Sequence, residues 1–356
     1  MKTRKRYTDN PDYVVSPGET IRETMTHLGM SQAELALRLG LTVQTVNRVF
    51  KGEQPITYET ANRLEMVTGT PAAFWNNLEM QYRGQLAKHK EHERLVNDLG
   101  WLASIPYKEL IKRDIIKSYA DNVMQLREVL AFFGVSSVEA WHEIWGNPEV
   151  AARRSACFET APGAAATWIR LGELAAQKIE TMPFNKSNFE EALQQIRKLT
   201  WKAEDNFISE TKRLCASAGV ALALIPEIRK VPWNGATKWL TPHKALIIIS
   251  LRGKAEDRFW FSFFHEAGHV LKSNKKRLYI ADASESPEEV AANNFAAEIL
   301  IPQHYNNLIR EATCSCDILN IADKLSVSPG IVAGRYQYLT GKWGAFRRMI
   351  RKFQWE

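Results

Sequence analysis

Hydrophobic and polar residues alternate with a helical period over much of the chain. Across residues 17–83, several short amphipathic segments follow one another with tight turns between them. The helical pattern continues through residues 106–181, with Gly134 and Gly146 as stop signals. Apolar residues spaced three or four apart predict helices that bury one face. These two regions are therefore predicted to be helical.

Strand patterns first occur after about residue 217. The segments GVALALIPEI, GATKWLT and KALIIIS are short, rich in aliphatic residues and separated by Pro and Gly turns, which is typical of strands. A strongly apolar helix, DRFWFSFFHEAGHVL, is predicted next, and a second helix from near Pro287. The last segment, from about Ser315, is helical again. The predicted fold class is α+β and mostly helical, with a small sheet.

Composition narrows the class of protein. Hydrophobic residues make up 45% and charged residues 24% of the 356 positions, as in ordinary globular chains of two or three domains. The net charge of +7 is compatible with a polyanionic partner, although much of it lies in terminal clusters that solvent alone would accommodate. No apolar run is long enough to span a membrane, and the basic N-terminus lacks the apolar core of a secretory signal. We therefore expect a cytoplasmic protein with no membrane partner.

The four cysteines are scattered along the chain apart from one Cys-x-Cys pair. They are Cys157, Cys215, Cys314 and Cys316. This spacing fits neither a disulfide scaffold nor a cysteine zinc site. All four are predicted to be reduced thiols.

The stretch MSQAELALRLGLTVQTVNRVFKGEQPIT predicts two short helices joined by a tight turn. Ser31 and Glu34 form a capping box at the start of the first helix, Gly40 ends it, and Thr42 caps the second. The apolar faces are predicted to hold Ala33, Leu35, Ala36, Leu39, Val46 and Val49. Such a pair is either an ordinary helical hairpin or a helix-turn-helix, and the spacing alone leaves both open.

In a helix-turn-helix, the N-terminal part of the second helix enters the major groove of DNA. Gln and Arg side chains at that position read base edges, and polar or basic groups at the flanks contact phosphates. The candidate DNA-binding residues are Gln32, Thr42, Gln44, Thr45, Asn47, Arg48 and Lys51.

A family resemblance favours the helix-turn-helix. Residues 15–83 resemble the HigA-type antitoxin subgroup of the lambda-repressor-like (XRE) family through PGETIRETM, the stretch above without its first Met, ETANRLEMVTGTPAAFW and NNLEMQYR. The resemblance implies a homodimeric module that binds double-stranded operator DNA and represses its own operon.

The segment His265-Glu266-Ala267-Gly268-His269 is a candidate metal centre. Residues four apart share one face of a helix, so both imidazoles can reach one Zn²⁺ ion. Catalytic zinc needs a third protein ligand and an open position, and Glu266 is placed to take a proton from water there. The alternative is a helix with two histidines beside a core. The aromatic residues around the motif make that helix largely buried, where a triplet without a metal would be costly.

The third ligand is expected from SPEEVAANNFAAEILIP, which supplies Glu288, Glu289 and Glu298. Glu289 and Asn293 are spaced to share one face. However, Ser286 and Glu289 also fit a capping box with Pro287 at the first helical position. The residues alone leave Glu289 open between ligand and cap.

Residues from about 150 to 356 resemble the ImmA/IrrE family of metallopeptidases. The matching stretches are FWFSFFHEAGHVL, EVAANNFAAEILIP, VSPGIVAGRYQY and KWGAFRRMIRKFQW. The resemblance implies a gluzincin-like zinc site whose third ligand, six residues before Phe295, is Glu289. This chain has Ala291 where the family usually carries a second acidic residue, which puts the support of the ligands in question.

The segment ILNIADKLSVSPGIVAGRYQYLTG repeats the spacing of the first helix pair. Ala322, Leu325, Val327 and Val332 fall where Ala36, Leu39, Leu41 and Val46 fall. Pro329 and Gly330 stand where base-reading residues would be. A structural or protein-contacting role is therefore favoured over DNA reading.

Together these patterns predict five parts. They are a polar tail (1–14), a helix-turn-helix DNA-binding domain (15–85), a helical linker or platform (86–185), a zinc metallopeptidase domain (186–312) and a C-terminal helical subdomain (313–356). The first hypothesis is a nucleoid-associated regulator whose zinc endopeptidase cleaves a repressor-like helix-turn-helix protein, or the chain itself. The second is a HigA-like antitoxin that neutralises a cognate ribonuclease toxin, with the metal domain as structure or sensor.

Overall fold

The computed structural model describes residues 16–146, 161–201, 207–272, 278–280 and 286–354. The chain divides into two compact units, residues 1–99 and 100–356. The predicted α+β class is confirmed, because a small sheet stands among many helices. The predicted polar tail and Cys157 lie outside the described residues, and the five-part division of the chain stays a prediction.

The first unit is helical. Its helices are α1 (Pro17–His27), α2 (Gln32–Leu39), α3 (Val43–Phe50), α4 (Tyr58–Thr68) and α5 (Ala72–Asn97). Ser31 and Thr42 cap α2 and α3 as predicted, each accepting a hydrogen bond from the amide three residues later. Gly40 ends α2 in the left-handed conformation that favours glycine.

The core of the first unit joins its five helices. Leu35, Ala36, Leu39, Val46 and Val49 are buried in it, as the spacing predicts. The remaining predicted core residue of α2 was assigned wrongly, since Ala33 is exposed. It stands at the second position of α2, on the side away from the neighbouring helices. Burial of the others fixes the angle between α2 and α3 through apolar contact.

The second unit begins with a largely helical region. Short 3₁₀ and π segments lie at Leu99–Ser104 and His142–Gly146. The α-helices there are α6 (Tyr107–Lys112), α7 (Asn122–Phe133), α8 (Val138–Trp141), α9 (Pro162–Gln177), α10 (Lys186–Leu199) and α11 (Phe207–Ser217).

The predicted small sheet follows α11. Its strands are β1 (Val220–Leu224), β2 (Gly235–Thr241), β3 (Lys244–Ile249) and β4 (Tyr279–Ile280), in the spatial order β1-β3-β2-β4. The pair β1–β3 is parallel, whereas β2 is antiparallel to both β3 and β4. The central strand β3 is almost continuously apolar because both of its faces are covered.

Two helices carry the candidate metal ligands and pack closely together. They are α12 (Glu256–Lys272) and α13 (Pro287–Leu300). A side chain at Gly268 of α12 would lie 3.1 Å from the Ala292 Cα of α13, so glycine permits this approach. Ala292 and Ala296 of α13 are both buried.

The chain ends in α14 (Asn306–Arg310), α15 (Ser315–Leu325) and α16 (Pro329–Thr340), with short 3₁₀ turns at Gln303–Tyr305 and Arg347–Met349. We call α15 and α16 the C-terminal helix pair. Its α16 lies against the start of α12, where a side chain at Gly330 would meet Glu256 and one at Gly334 would meet Asp257. The C-terminal segment also reaches this point, since the Arg351 guanidinium forms an ion pair with Glu256.

Cys314 and Cys316 are joined by a disulfide, so the prediction of reduced thiols is wrong for this pair. Their Cα atoms are 5.2 Å apart at the start of α15, within the range that disulfides require. Cys215 is free and buried. Within the described ranges, no helix has the length and apolar character that crossing a bilayer requires.

Candidate metal centre and nucleic-acid interface

Two imidazoles and one carboxylate converge in the second unit. The Nε2 atoms of His265 and His269 lie 3.1 Å apart. Glu289 places Oε2 3.1 Å from the first nitrogen and Oε1 3.0 Å from the second. All three side chains are buried. The structure thus brings together the three residues predicted as metal ligands, although they come from two separate helices.

The helices explain this convergence. The two histidines stand one turn apart on α12 and therefore face the same way. On α13, Ser286 caps the helix by accepting a hydrogen bond from the Glu289 amide at 3.2 Å. The capping interaction therefore uses the backbone of Glu289, while its carboxylate faces the histidines. The two readings that the sequence left open are compatible, and the geometry favours Glu289 as a ligand.

Asn293 orients the first imidazole. Its Oδ1 atom lies 2.9 Å from Nδ1 of His265 and can only accept a hydrogen bond. Nδ1 therefore carries the proton, and a neutral ring keeps a lone pair on Nε2. Such outer partners fix the tautomer of metal-binding histidines. Sequence spacing placed Asn293 on the same face as Glu289, but it did not reveal this contact.

The three atoms fit a divalent cation. Glu289 Oε2 is buried and accepts no hydrogen bond from the described residues, so its charge lacks a complete protein partner. Ligands of tetrahedral zinc, at about 2.0–2.1 Å from the metal, lie about 3.3 Å from one another. The two imidazole nitrogens are 3.1 Å apart, and each is 3.0–3.1 Å from a different oxygen of the Glu289 carboxylate, which is close to that value. This donor set is typical of zinc.

Electrostatics point the same way. Burial opposes ionisation of Glu289, but the two imidazoles outweigh it and lower the pKa of this carboxyl to about 2. Burial likewise opposes charge on His265, yet Glu289 and Glu266 raise the pKa of this imidazole above its usual value. The site therefore stabilises positive charge between these side chains.

Glu266 lies beside the ligands and is fully buried. The Thr237 hydroxyl donates a 2.6 Å hydrogen bond to its Oε2, whereas Oε1 has no partner among the described residues. Burial raises the pKa of Glu266, with the imidazoles opposing the shift. A carboxylate with a raised pKa and a free oxygen suits proton transfer near neutral pH.

Strand β2 supplies the room for this carboxylate. A side chain at Gly235 would come within 2.5 Å of Glu266 Oε1. Thr237 is also on β2 and fully buried. Sequence reasoning predicted the strand but not its two contacts with Glu266, because nothing local relates positions about 30 residues apart. A Gly at the start of the strand, followed by an inward Thr, was the available signal.

The candidate DNA-reading helix α3 lies in the first unit. Gln44, Arg48 and Lys51 are exposed, whereas Asn47 is half-buried. Thr42 and Thr45 act in helix capping, since the Thr42 Oγ accepts from the Thr45 amide and their hydroxyls lie 2.8 Å apart.

Gln32 stands at the start of α2 and ties the two helices together. Its side-chain amide donates to the Val43 carbonyl at 3.4 Å. The exposed, hydrogen-bonding groups on α3 are therefore chiefly Gln44 and Arg48. The structure gathers the seven predicted residues on and around this helix, and their contact with DNA stays a prediction.

Two family models match the chain. Residues 21–75 match a helix-turn-helix family. Residues 226–336 match the IrrE N-terminal-like domain of the M78 peptidase family, a range that contains all three candidate ligands and Glu266.

Individual relatives resemble a smaller part of the chain. The uncharacterized HTH-type transcriptional regulator YddM of Escherichia coli (strain K12) is 32% identical over 63 residues, 18% of this chain and 67% of that protein. The solved Pseudomonas aeruginosa antitoxin HigA with the higBA promoter is 30% identical, over 23% of this chain and 90% of its own, with a TM-score of 0.22. PA4674 from Pseudomonas aeruginosa, solved with its 18 bp operator DNA, is 33% identical over 23% of this chain and 94% of its own, with a TM-score of 0.21.

Proposed function

Because the chain belongs to the helix-turn-helix regulator family through its first unit and carries an IrrE N-terminal-like domain in its second, we propose that it is a DNA-binding regulator with a zinc-dependent endopeptidase. Its substrate would be a repressor-like helix-turn-helix protein or the chain itself. Its place would be the cytoplasm, at the nucleoid. Cleavage would then relieve repression at the operator to which the first unit binds.

One observation carries the peptidase proposal. The buried Nε2 atoms of His265 and His269 lie 3.1 Å apart, and each is 3.0–3.1 Å from one oxygen of the Glu289 carboxylate, whose Oε2 has no hydrogen-bond partner among the described residues. A buried anion left in this state is costly unless a cation or proton joins it. An aromatic core packs around the same helix, which makes a purely surface role for these histidines untenable.

The side chains would divide the chemistry among them. His265, His269 and Glu289 would hold Zn²⁺, with Asn293 fixing the orientation of the first ligand. When bound, zinc supplies a Lewis acid that makes water nucleophilic near neutral pH. Glu266 would take the proton of that water at Oε1 and deliver it to the leaving amine. The Thr237 hydroxyl would hold Oε2, so the carboxylate keeps one orientation.

The first unit would act as a dimeric operator-binding module. The helix-turn-helix family match supports DNA as the partner. In this proposal Gln44 and Arg48 read base edges. Gln32, Thr42, Thr45, Asn47 and Lys51 position the helix on the phosphate backbone.

The proposal is tested with Glu266→Gln and Glu289→Ala in the full-length protein. Purified wild type and Glu266→Gln are expected to contain about one zinc per chain by elemental analysis, and Glu289→Ala much less. The rate of cleavage, either of the chain itself or of a co-expressed helix-turn-helix repressor encoded nearby, should fall at least about 100-fold in Glu266→Gln, as for loss of a general base. Equal cleavage by wild type and Glu266→Gln would remove the proposed mechanism.

The resemblance of residues 15–83 to HigA-type antitoxins supports a second candidate function. In it the chain neutralises a small basic ribonuclease toxin and represses its operon. Co-expression with a toxin encoded next to the gene separates the two functions. If the chain acts as an antitoxin, wild type and Glu266→Gln should rescue growth equally. If it acts as a peptidase, wild type should cleave its partner protein and Glu266→Gln should leave that protein intact.

A further inference from the structure

The disulfide between Cys314 and Cys316 lies outside the metal centre and has no part in the proposed function. Cys314 is the residue just before α15, and Cys316 is the second residue of that helix. The bond therefore closes a very small ring across the start of an 11-residue helix. A cross-link between residues so near in sequence adds little to the long-range cohesion of a fold, since the loop that it closes is short.

Solvent exposure distinguishes this pair from Cys215, the free cysteine among the described residues. Cys316 is exposed and Cys314 is half-buried, so a small thiol can reach the bond from solvent. Cys215 is fully buried, and burial raises the pKa of its thiol. Reactivity follows thiolate character and exposure. Oxidation and reduction are therefore directed to the exposed pair and away from the core.

The surroundings also suit the reduced form. Asp317 accepts hydrogen bonds at Oδ2 from the amides of Thr313 and Cys314, at 2.8 and 3.1 Å. These two contacts involve neither sulfur atom, and the Asp317 amide in turn donates to the Cys314 side chain in the same capping box. The first turn of a helix also presents free amides and the positive end of the helix dipole, which stabilise a thiolate. The helix start can therefore persist with the pair reduced.

We propose that Cys314 and Cys316 form a reversible dithiol–disulfide couple that exchanges with low-molecular-weight disulfides and thiols. An exposed bond within a short local ring is typical of labile rather than structural disulfides. The couple is a modification site in its own right and does not depend on the peptidase.

The exchange balances in two steps. The thiolate of Cys316 attacks one sulfur of a disulfide RSSR, which forms a mixed disulfide and releases RS⁻. Cys314 then loses its proton to solvent and attacks the Sγ of Cys316, which forms the internal bond and releases the second RS⁻. In sum, one dithiol is oxidised and one RSSR is reduced to two RSH. Reduction of the protein runs through the same mixed disulfide in reverse.

The couple acts on a helix that belongs to the scaffold of the metal centre. Ile318, Ile321 and Ala322 of α15 are buried in the core that also contains α12. Ser328, which caps the next helix α16, donates from its hydroxyl to Glu256 at the start of α12. Oxidation should therefore stiffen the first turn of α15 without moving the metal ligands themselves.

The test equilibrates the full-length reduced protein in buffers with increasing ratios of glutathione disulfide to glutathione. After an acid quench and alkylation, intact mass reports the free thiols. Wild type is expected to lose the two thiols of Cys314 and Cys316 together at an intermediate ratio, with no glutathione adduct on either of them. Cys314→Ser should instead retain one glutathione on Cys316. Cys215→Ser is the matched control and should oxidise at the same ratio as wild type.

Hydrogen exchange gives a second readout. Amides of residues 318–321 should exchange up to about 15-fold more slowly in the oxidised form, the effect that the chain-entropy relation gives for a loop of about three residues. The proposal is overturned if the pair stays reduced in the most oxidising buffer, or stays bonded in the most reducing one. It is also overturned if Cys314→Ser forms no adduct. Equal exchange in both forms would remove the effect on α15.

Discussion

The two helix pairs α2–α3 and α15–α16 share a local design. Each first helix ends with a left-handed residue, Gly40 or Ser326. The next amide then bonds back to a carbonyl of the first helix, at 2.9 Å in one pair and 3.1 Å in the other. A hydroxyl side chain, from Thr42 or Ser328, caps each second helix. The predicted repeat of spacing thus corresponds to a repeat of structure.

What differs is the beginning of the second helix. Gln44 and Arg48 are exposed on α3, and the matching positions of α16 are Gly330 and Gly334. Both glycines are pressed against the start of α12, where a side chain would meet Glu256 or Asp257. The connection between the helices therefore determines that a helix pair forms, whereas the residues at the start of the second helix determine what that pair can do. Exposed polar residues at these positions can read DNA, whereas glycines that pack closely against α12 support another helix.

The largest expected change in stability concerns the ion pair between Arg351 and Glu256, next to α16. Arg351→Ala should lower the unfolding free energy of the second unit by about 3 kcal/mol, because it leaves the fully buried carboxylate of Glu256 without its cation. Arg38→Ala is the matched control, since its partner Glu34 is exposed and such pairs contribute at most about 0.5 kcal/mol. Denaturant-dependent hydrogen exchange in the full chain measures both, and equal losses would contradict the comparison.

A middle-sized effect is expected at the exposed positions of α3. Gln44→Ala and Arg48→Ala should each weaken operator binding by about 1–3 kcal/mol while changing stability by less than about 0.5 kcal/mol. Titration of labelled operator DNA at several salt concentrations measures the change. Tyr338→Ala, at an exposed site of α16, is the control and should bind as wild type does. If that variant lost affinity while the α3 variants kept theirs, the roles of the two helix pairs would be reversed.

The smallest effect tests the glycine that matches Arg48. Gly334→Ala would place a Cβ 2.4 Å from Asp257 Oδ2, and overpacking of this kind costs about 1–3 kcal/mol. Replacing glycine inside a helix returns up to about 1 kcal/mol of helix propensity, so a net loss near 1 kcal/mol is expected. Thermal unfolding followed by tryptophan fluorescence measures it. A variant more stable than wild type would show that α16 does not require glycine at position 334 to pack against α12.

Local patterns predicted the elements well, because capping and apolar spacing act over a few residues. Ser31, Thr42 and Ser286 all cap the helices that they were predicted to begin. The sequence left two interpretations of Glu289, as a metal ligand or as part of a capping box, because its position in the helix suits both roles. The structure separates the two through the direction of the carboxylate.

Other features were beyond sequence reasoning. Thr237 reaches Glu266 across 29 positions, and no local rule relates a strand residue to a helix that follows it. The Cys-x-Cys spacing predicts no disulfide, because disulfides usually join residues farther apart in sequence, and this rule misses a bond between Cys314 and Cys316 within a single turn. Arg351 lies in a terminal basic cluster that solvent could accommodate, whereas its position opposite a buried carboxylate depends on the tertiary fold.

The contact between Glu256 and Arg351 has a consequence for synthesis on the ribosome. These residues are 95 positions apart, and the earlier one stands at the start of the helix that bears both histidines. While the nascent chain is shorter than about 351 residues, that carboxylate lacks its counter-charge and the helix lacks its anchor. The candidate metal centre should therefore mature only after the helix-turn-helix unit has emerged and folded.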